Sequence, residues 1–388
     1  MRLDCDFHIH GRYSGGTSKN MTLEAISRQA LLKGLDVVGT GDALHMGWLK
    51  EIRGLDPYSE GIYGKNGCKF IITLEVEDIH RVHHLIFLPG IDSTLGLRED
   101  FLKHSVDIDK DGRPHLRLEG EEIVDHVKDA GGIIGPSHAF VPWTSIYKEY
   151  DSLRACYGDN YKDLSFIELG LSADTEMADC IPELQDLTFL SNSDAHSPWP
   201  HRLGREFNRL EVESLSFDDI RKALERHRVT LNIGFDPRLG KYHRTACIKC
   251  YTLYEFEDAK KLRWRCAKCK VVLKKGVRDR IMELGAYSVP RHPEHRPPYI
   301  RIAPLADIMC LVFKVKSLYS AKVQESWKKL VGRFGSEIAV LIDVDVEDLK
   351  KEVNERTGEL IEAFRSGNFN ITQGGGGKYG EIIFDRPL

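Results

Sequence analysis

No apolar run in the sequence approaches the ~20 residues that a membrane-crossing helix needs, so no span is expected. Where a secretory leader would be apolar, the chain opens MRLDCDFHIHGR, and a cytoplasmic protein is expected. Neither Ser191 nor Ser193 lies in a GxSxG elbow, and both read as structural. GGGGKYG (374–380) lacks the GxxxxGK[ST] pattern, which excludes a nucleotide P-loop. Positive charge is not in excess: 55 Lys and Arg stand against 59 Asp and Glu, which excludes a uniformly basic nucleic-acid coat protein. Cysteine is sparse and odd in number, at nine, and four of these fall in two CxxC pairs. That pattern suits metal binding in a reducing compartment better than a disulfide framework. No internal repeat is evident. With 41% hydrophobic and 29% charged residues the chain is not disordered as a whole, and 388 residues imply two or three domains.

Up to about residue 235, β-rich runs alternate with helical patterns. The runs include LDCDFHIH (3–10), LDVVGTGD (35–42), KFIITLEVE (69–77), HLIFLP (84–89), GGIIGPSH (131–138), SFIELG (165–170), LTFLSNSDAH (187–196) and VTLNIGF (229–235). Such alternation predicts parallel strands with helices outside, and seven or eight strands predict a closed β/α barrel. Ser216 and Asp219 predict a capping-box-like helix start. Residues 47–67 and 91–118 read as long rim loops. After RHPEHRPP (291–298), a linker by composition, helical patterns follow at 320–331 and 346–365.

In LDCDFHIH, strand alternation puts Leu3, Cys5, Phe7 and Ile9 on one face and Asp4, Asp6, His8 and His10 on the other. An apolar face meeting outer helices would turn the polar face into the barrel. A lone HxH is weak evidence. The pattern gains force because Asp42 and His45, Glu75, His83 and His84, His138, and Asp194 and His196 also fall at ends of β-rich runs, where barrel active sites are built. Burying so many titratable groups without ions or partners is costly. Mixed imidazole and carboxylate ligands suit Zn²⁺, Mn²⁺ or Fe²⁺, and at least eight candidates suit two or three ions, a number fitted to phosphoester hydrolysis.

Cys247, Cys250, Cys266 and Cys269 give C-x2-C-x15-C-x2-C, the spacing of a closed tetrahedral Zn²⁺ site, expected to be structural. Residues 238–280 carry 14 Lys and Arg against 4 Asp and Glu, a balance of +10 that leaves −14 for the rest of the chain. Lys249, Arg263, Arg265 and Lys268, with Tyr251, Tyr254 and Trp264 among them, fit phosphate neutralisation and base stacking. The other reading is a solvated basic surface. Lys378 in the glycine run reads either as a phosphate contact or as part of a flexible turn. Arg12, Arg202 and Arg205 are positioned as phosphate clamps. Trp143, Tyr147 and Trp199 read either as stacking groups or as rim packing.

HIH, Asp42, Glu75, His84, His138 and SDAH resemble the PHP (polymerase and histidinol phosphatase) domain. One departure is Ala43, where many such proteins carry a histidine; this leaves the third metal position to His45. VGTGDALH, RVHHLIFLP, SHAFVPW, ELGLSAD, SNSDAHSP and LGREFN, followed by the cysteines, resemble the endonuclease Q family, and the similarity covers nearly the whole chain. The resemblance implies a distorted (β/α)7-type PHP barrel over 1–237, a basic four-cysteine zinc module over 238–285 and an α+β or helical DNA-binding domain over 286–388. It implies two to three divalent ions (Zn, Mn or Mg) in the barrel and one structural Zn. It also implies cleavage of double- or single-stranded DNA on the 5′ side of uracil, hypoxanthine, xanthine or an abasic site, leaving 3′-hydroxyl and 5′-phosphate ends. Within that frame Asp194 and Glu75 are the candidate bridging carboxylates. His8 and His10 would hold one ion, His84 and His138 a second, and Asp42 and His196 a third. Two rivals remain: a small-molecule phosphatase of the histidinol-phosphate type, and a non-catalytic DNA-binding adaptor.

Overall fold

The computed structural model describes residues 1–383. Ten strands organise the site: β1 (Arg2–Asp6), β2 (Val37–Gly39), β3 (Cys68–Glu77), β4 (His83–Leu88), β5 (Ile133–Pro136), β6 (Phe166–Glu168), β7 (Thr188–Leu190), β8 (Phe207–Glu211), β9 (Val229–Gly234) and β10 (Tyr299–Arg301). The α/β barrel is present, but its sheet is mixed. β1, β2 and β3 run parallel, whereas β4 is antiparallel to β3 and β5, and β8 is antiparallel to β1 and β9. Strand–helix alternation fails as a guide here because only a tight turn, 78–82, joins β3 to β4. Parallel β6 and β7 close the ring. The Ser165 N–H donates to Ile134 O (3.4 Å), Asn232 Nδ2 to Phe189 O (3.0 Å), and the Ser191 N–H to Asn208 Oδ1 (2.8 Å).

The barrel interior has an apolar floor. Phe7, just past β1, and Phe87 and Phe166 on β4 and β6 meet edge to face at 5.1 and 5.3 Å, with Leu3, Cys5 and Leu190 around them. The apolar face of β1 therefore points inward and not toward outer helices, the reverse of the expectation. Asp4 instead pairs with Arg209, which also holds Asp343 of the carboxy-terminal segment. β1 ends at Asp6, and beyond it strict alternation lapses, which frees His8 and His10 to enter the layer above the floor.

Outer helices between residues 23 and 129 bury the other strand faces, whereas the helix over 217–225 joins the floor cluster. α1 (Leu23–Lys33) starts at Thr22, whose hydroxyl accepts from the Ala25 N–H, and stops at Gly34, whose φ of 98° suits glycine. α2 is Met46–Ile52, α3 Ile91–Leu102 and α4 Gly120–Asp129. At α5 (Phe217–Glu225) Ser216 accepts from the Asp219 N–H, but the Asp219 carboxylate turns back to Ser214, so half of the expected box forms.

The carboxy-terminal segment contributes α6 (Leu305–Phe313), α7 (Ala321–Phe334), α8 (Val346–Glu352) and α9 (Glu355–Ser366). The expected helix over 346–365 is two, because Asn354 caps a new start. This segment shares one apolar core with the barrel, and β10 pairs in parallel with β9. Buried Glu337 accepts from Lys33 (2.8 Å), Trp327 Nε1 (2.6 Å) and the Leu305 N–H (3.1 Å), which fastens α1 to α6 and α7. The barrel and the described part of the carboxy-terminal segment thus share one packed core. Among the described residues no helix is long and apolar enough to cross a membrane.

Candidate metal centre

Directly above the phenylalanine floor the inward positions change from apolar to polar. On β3 they run Ile71, Thr73, Glu75, Glu77; on β6, Phe166 is followed by Glu168; on β4, Phe87 and Leu85 are preceded by His83. Because β4 is antiparallel, its amino end reaches the rim that the carboxyl ends of β1 and β3 occupy. His8 Nε2 lies 3.4 Å from Glu75 Oε1 and 3.8 Å from Asp194 Oδ1. His10 Nε2 lies 3.5 Å from Glu75 Oε2 and 3.2 Å from Asp194 Oδ1. On the other side of Glu75, its Oε1 is 3.1 Å from His138 Nε2 and 3.2 Å from His83 Nδ1. His196 Nδ1 is 3.6 Å from Asp194 Oδ1. Three groups have mutual ligand-atom distances suited to an ion: His8–His10–Glu75, Glu75–His83–His138 and His10–Asp194–His196. Glu75 belongs to two of them.

His8 Nε2, His10 Nε2, Glu75 Oε1 and Asp194 Oδ1 are buried and lack any hydrogen-bond partner. Orphaned atoms of this kind are rare in a folded protein, and four converging ones fit divalent cations in both donor chemistry and position. The opposite edges of the same imidazoles are fixed. Glu168 accepts from His8 Nδ1 (2.9 Å), the His138 N–H (2.7 Å) and Asn192 Nδ2 (2.9 Å). Asp42 accepts from His10 Nδ1 (3.0 Å) and the Gly11 N–H (2.6 Å). These carboxylates set the tautomers so that Nε2 faces the cluster. Three residues here have a strained backbone: Asp42, His138 and Asp194 take φ of 50°, 27° and 47°.

The charges are strongly coupled. Burial alone would lower the His8 imidazole, but Glu168 and Glu75 hold it well above its usual value. His10, likewise against burial, is held at about 9 by Asp42 and Asp194. Burial would raise Glu75 and Asp194; the neighbouring imidazoles instead keep both below the ordinary carboxylate range. Cations bound at these atoms would take over the role that the protons play.

Of the eight sequence candidates, the structure brings six together: His8, His10, Glu75, His138, Asp194 and His196. Two stand elsewhere. Asp42 lies behind His10 as its hydrogen-bond partner, not at the cluster. His84 faces the outer layer, with Nδ1 2.8 Å from the Tyr157 hydroxyl and Nε2 3.3 Å from Asp78. Strand alternation decides this: His83, two residues before Leu85, shares its inward face. His45 also fails to reach the cluster, because its Nδ1 caps α2 by accepting from the Gly47 and Trp48 N–H groups. Sequence reasoning missed Glu168, although period two from Phe166 points to it, and Arg113, whose Nη1 lies 3.1 Å from Glu75 Oε2.

A second cluster forms at 246–274. The Sγ atoms of Cys247 and Cys269 lie 3.3 Å apart and those of Cys250 and Cys266 3.5 Å apart, all four within bonding range of a single ion. The Lys249 and Cys250 N–H groups donate to Cys247 Sγ, as the Cys269 N–H does to Cys266 Sγ. Lys249, Arg263, Arg265 and Lys268 are exposed around it. Lys378 is exposed too, and three neighbouring glycines approach protein backbone. The Gly374, Gly377 and Gly380 N–H groups donate to the carbonyls of Arg238, Lys241 and Leu239. A Cβ on Gly374 would stand 2.4 Å from Gly240 O.

Residues 304–368 match the family model described as the MJ0043 C-terminal domain. The uncharacterized protein MJ0043 of Methanocaldococcus jannaschii is 47% identical over 272 residues, 69% of this chain, and the matched part spans 34% of that protein's length. The uncharacterized protein YqxK of Bacillus subtilis is 32% identical over 408 residues, 98% of this chain and 99% of its own. The crystal structure of the lesion-specific endonuclease PfuEndoQ from Pyrococcus furiosus superposes with a TM-score of 0.95 at 49% identity, covering 98% of this chain and 95% of that one. An endonuclease Q bound to a 27-mer duplex with an abasic lesion at its active site superposes with a TM-score of 0.91 at 49% identity, covering 98% and 96%. With identity at that level over almost all of both chains, this protein belongs to the endonuclease Q family.

Proposed function

We propose that this chain is a metal-dependent endonuclease that hydrolyses the DNA phosphodiester 5′ of a deaminated base (uracil, hypoxanthine or xanthine) or an abasic site, leaving 3′-hydroxyl and 5′-phosphate ends. The observation that carries the reading is the convergence of the four unpartnered atoms of His8, His10, Glu75 and Asp194. Two to three divalent ions held there would supply an activated water and neutralise the phosphate. The chain's own residues do the rest. Glu75 is shared between groups and spaces them; Glu168 and Asp42 fix imidazole orientation; His83 and His138 complete the second group.

The four thiolates at 247–269 suit one structural Zn²⁺, and the exposed cations around them suit a DNA backbone. Residues 1–237 would then act as the phosphoesterase barrel, 238–285 as a basic zinc-binding module and 286–388 as a helical DNA-binding domain. Beside the cluster a cavity of about 720 Å³ is lined by Val141, Trp143, Arg205, Phe235, Tyr242 and His243. It has room for one extrahelical nucleotide, whose unstacking costs least when the base is damaged or missing.

The test is a set of duplexes identical except at one position (uracil, hypoxanthine, xanthine, abasic or normal), each with Mn²⁺, Mg²⁺ or Zn²⁺. Lesion duplexes should be cut 5′ of the lesion, and the upstream product should prime a polymerase directly. Equal cutting of every duplex would overturn the reading.

A further inference from the structure

The rim loop between α3 and α4 delivers one cation to the metal centre. Its position is enforced from both ends. Arg98 Nη2 pairs with Asp109 Oδ2 (2.6 Å), and Asp109 Oδ1 accepts from the Met46 N–H (3.0 Å). Asp111 Oδ1 accepts from the Gly15 and Arg113 N–H groups (3.2 and 3.1 Å), and the Gly112 N–H donates to Tyr13 O (3.2 Å). On the far side the Glu77 N–H donates to Pro114 O, and the Leu116 N–H to Glu77 O. Gly112 passes so close to the centre that a Cβ there would stand 2.4 Å from Asp42 Oδ2. Arg113 follows directly. Its side chain is three-quarters buried, Nη1 reaches Glu75 Oε2 at 3.1 Å, and Nε is buried with no partner at all.

Such a placement is an electrostatic puzzle. A guanidinium keeps its charge in any protein setting. Glu75 is the carboxylate shared by two metal groups, so divalent cations bound there would face a fixed positive charge within a few ångströms. A site built only to hold cations would not carry one. The arrangement is favourable when an anion joins the cluster, because the fork then has a second acceptor and its idle Nε–H a partner.

We propose that Arg113 is a catalytic residue that binds a non-bridging oxygen of the scissile phosphate, placed by the rim loop. The inference rests on the endonuclease reading above and adds the group that takes the phosphate charge not met by the ions. Pre-placed cations of this type act where charge develops during phosphoryl transfer. The competing role is simpler: Arg113 only neutralises Glu75 until ions arrive.

The two roles separate in Arg113→Ala and Arg113→Lys, examined in the full chain with lesion duplex at saturating Mn²⁺. For each, three quantities are measured: ions bound per chain, affinity for the duplex in Ca²⁺, and single-turnover cleavage. A phosphate contact predicts unchanged ion stoichiometry, a loss of about 100-fold or more in cleavage for Arg113→Ala, a smaller loss for Arg113→Lys, and partial rescue of Arg113→Ala by added guanidinium. Cleavage by Arg113→Ala at the wild-type rate, with tighter Mn²⁺ binding, would overturn the proposal in favour of simple neutralisation. Loss of bound ions in both variants would overturn it too, by making Arg113 a support for Glu75. Wild-type protein that cuts no lesion duplex would overturn the endonuclease reading itself, an outcome distinct from wild-type cutting matched by Arg113→Ala.

Discussion

The barrel and the cysteine module both gather metal-ligand side chains, yet they stand in opposite relation to their own cores. The barrel cluster rests on an apolar floor and is flanked by a continuous core that reaches from Ile9 to Phe369. Its ligand atoms are positioned by Glu168, Asp42 and the strand register, all of which exist without an ion. The module's core consists of Cys247, Ala259, Cys266 and Leu273, so two of its four buried members are themselves candidate ligands. In the first case protein structure would hold ions in place; in the second an ion would hold the protein.

The sharpest way to break this contrast is Asp194→Ala. It removes the carboxylate of the His10–Asp194–His196 group while leaving the floor untouched. Cleavage should fall by about 10³-fold or more, equivalent to roughly 4 kcal/mol in the barrier. Circular dichroism and duplex affinity should stay close to wild type. Retained turnover would put the chemistry elsewhere.

Cys266→Ser makes the reciprocal test. The module should lose its ion and its order, while the barrel keeps its ions and melting temperature. Exposed Lys249, Arg263, Arg265 and Lys268 would no longer be presented together. At about 0.9 per phosphate contact, the slope of log affinity against log salt should fall by about 3–4. An unchanged slope would show that these cations do not meet the backbone, and a barrel that melts along with the module would erase the distinction drawn here.

Next in size comes a comparison of neighbours, His83 and His84. His83→Ala should remove one ion from the barrel and cost about 10–100-fold in activity, as losses around metal ligands commonly do. His84→Phe should leave the ion count intact and change only thermal stability, because His84 serves Tyr157 and Asp78. The pair also marks how far the sequence could be read. Six of the barrel ligand candidates, the four cysteines and the barrel itself follow from motifs whose spacing reflects strand ends or paired turns. Strand direction does not follow. A parallel barrel draws attention to carboxyl ends of strands, and His83 stands at the amino end of an antiparallel one. Asp42 was legible as a site residue but not as a support, since only coordinates show which of two neighbouring shells a carboxylate occupies. Arg113 lay inside a segment readable only as a long loop, and its position depends on contacts with Tyr13, Gly15 and Glu77 far away in sequence.

A final test asks whether the barrel's interior depends on paired charge. Glu206 is fully buried, receives one N–H, from Phe235 at 2.9 Å, and leaves Oε2 without a partner. Burial, opposed weakly by that N–H and by Arg205, pushes its carboxyl up to about 8. In the unfolded chain the same group ionises near 4.3. Below that pH both states are protonated and the residue is neutral to folding. As pH rises from about 4.3 toward 8, the unfolded state sheds the proton and the folded state keeps it, so stability falls by up to roughly 1.4 kcal/mol per pH unit before levelling. Glu206→Gln abolishes this dependence. Its melting temperature should match wild type at about pH 4 and exceed it by a margin that widens up to pH 8. A variant that instead loses stability as pH rises would mean that Glu206 is ionised and paired, and that the barrel, like the module, relies on charge to hold its interior together.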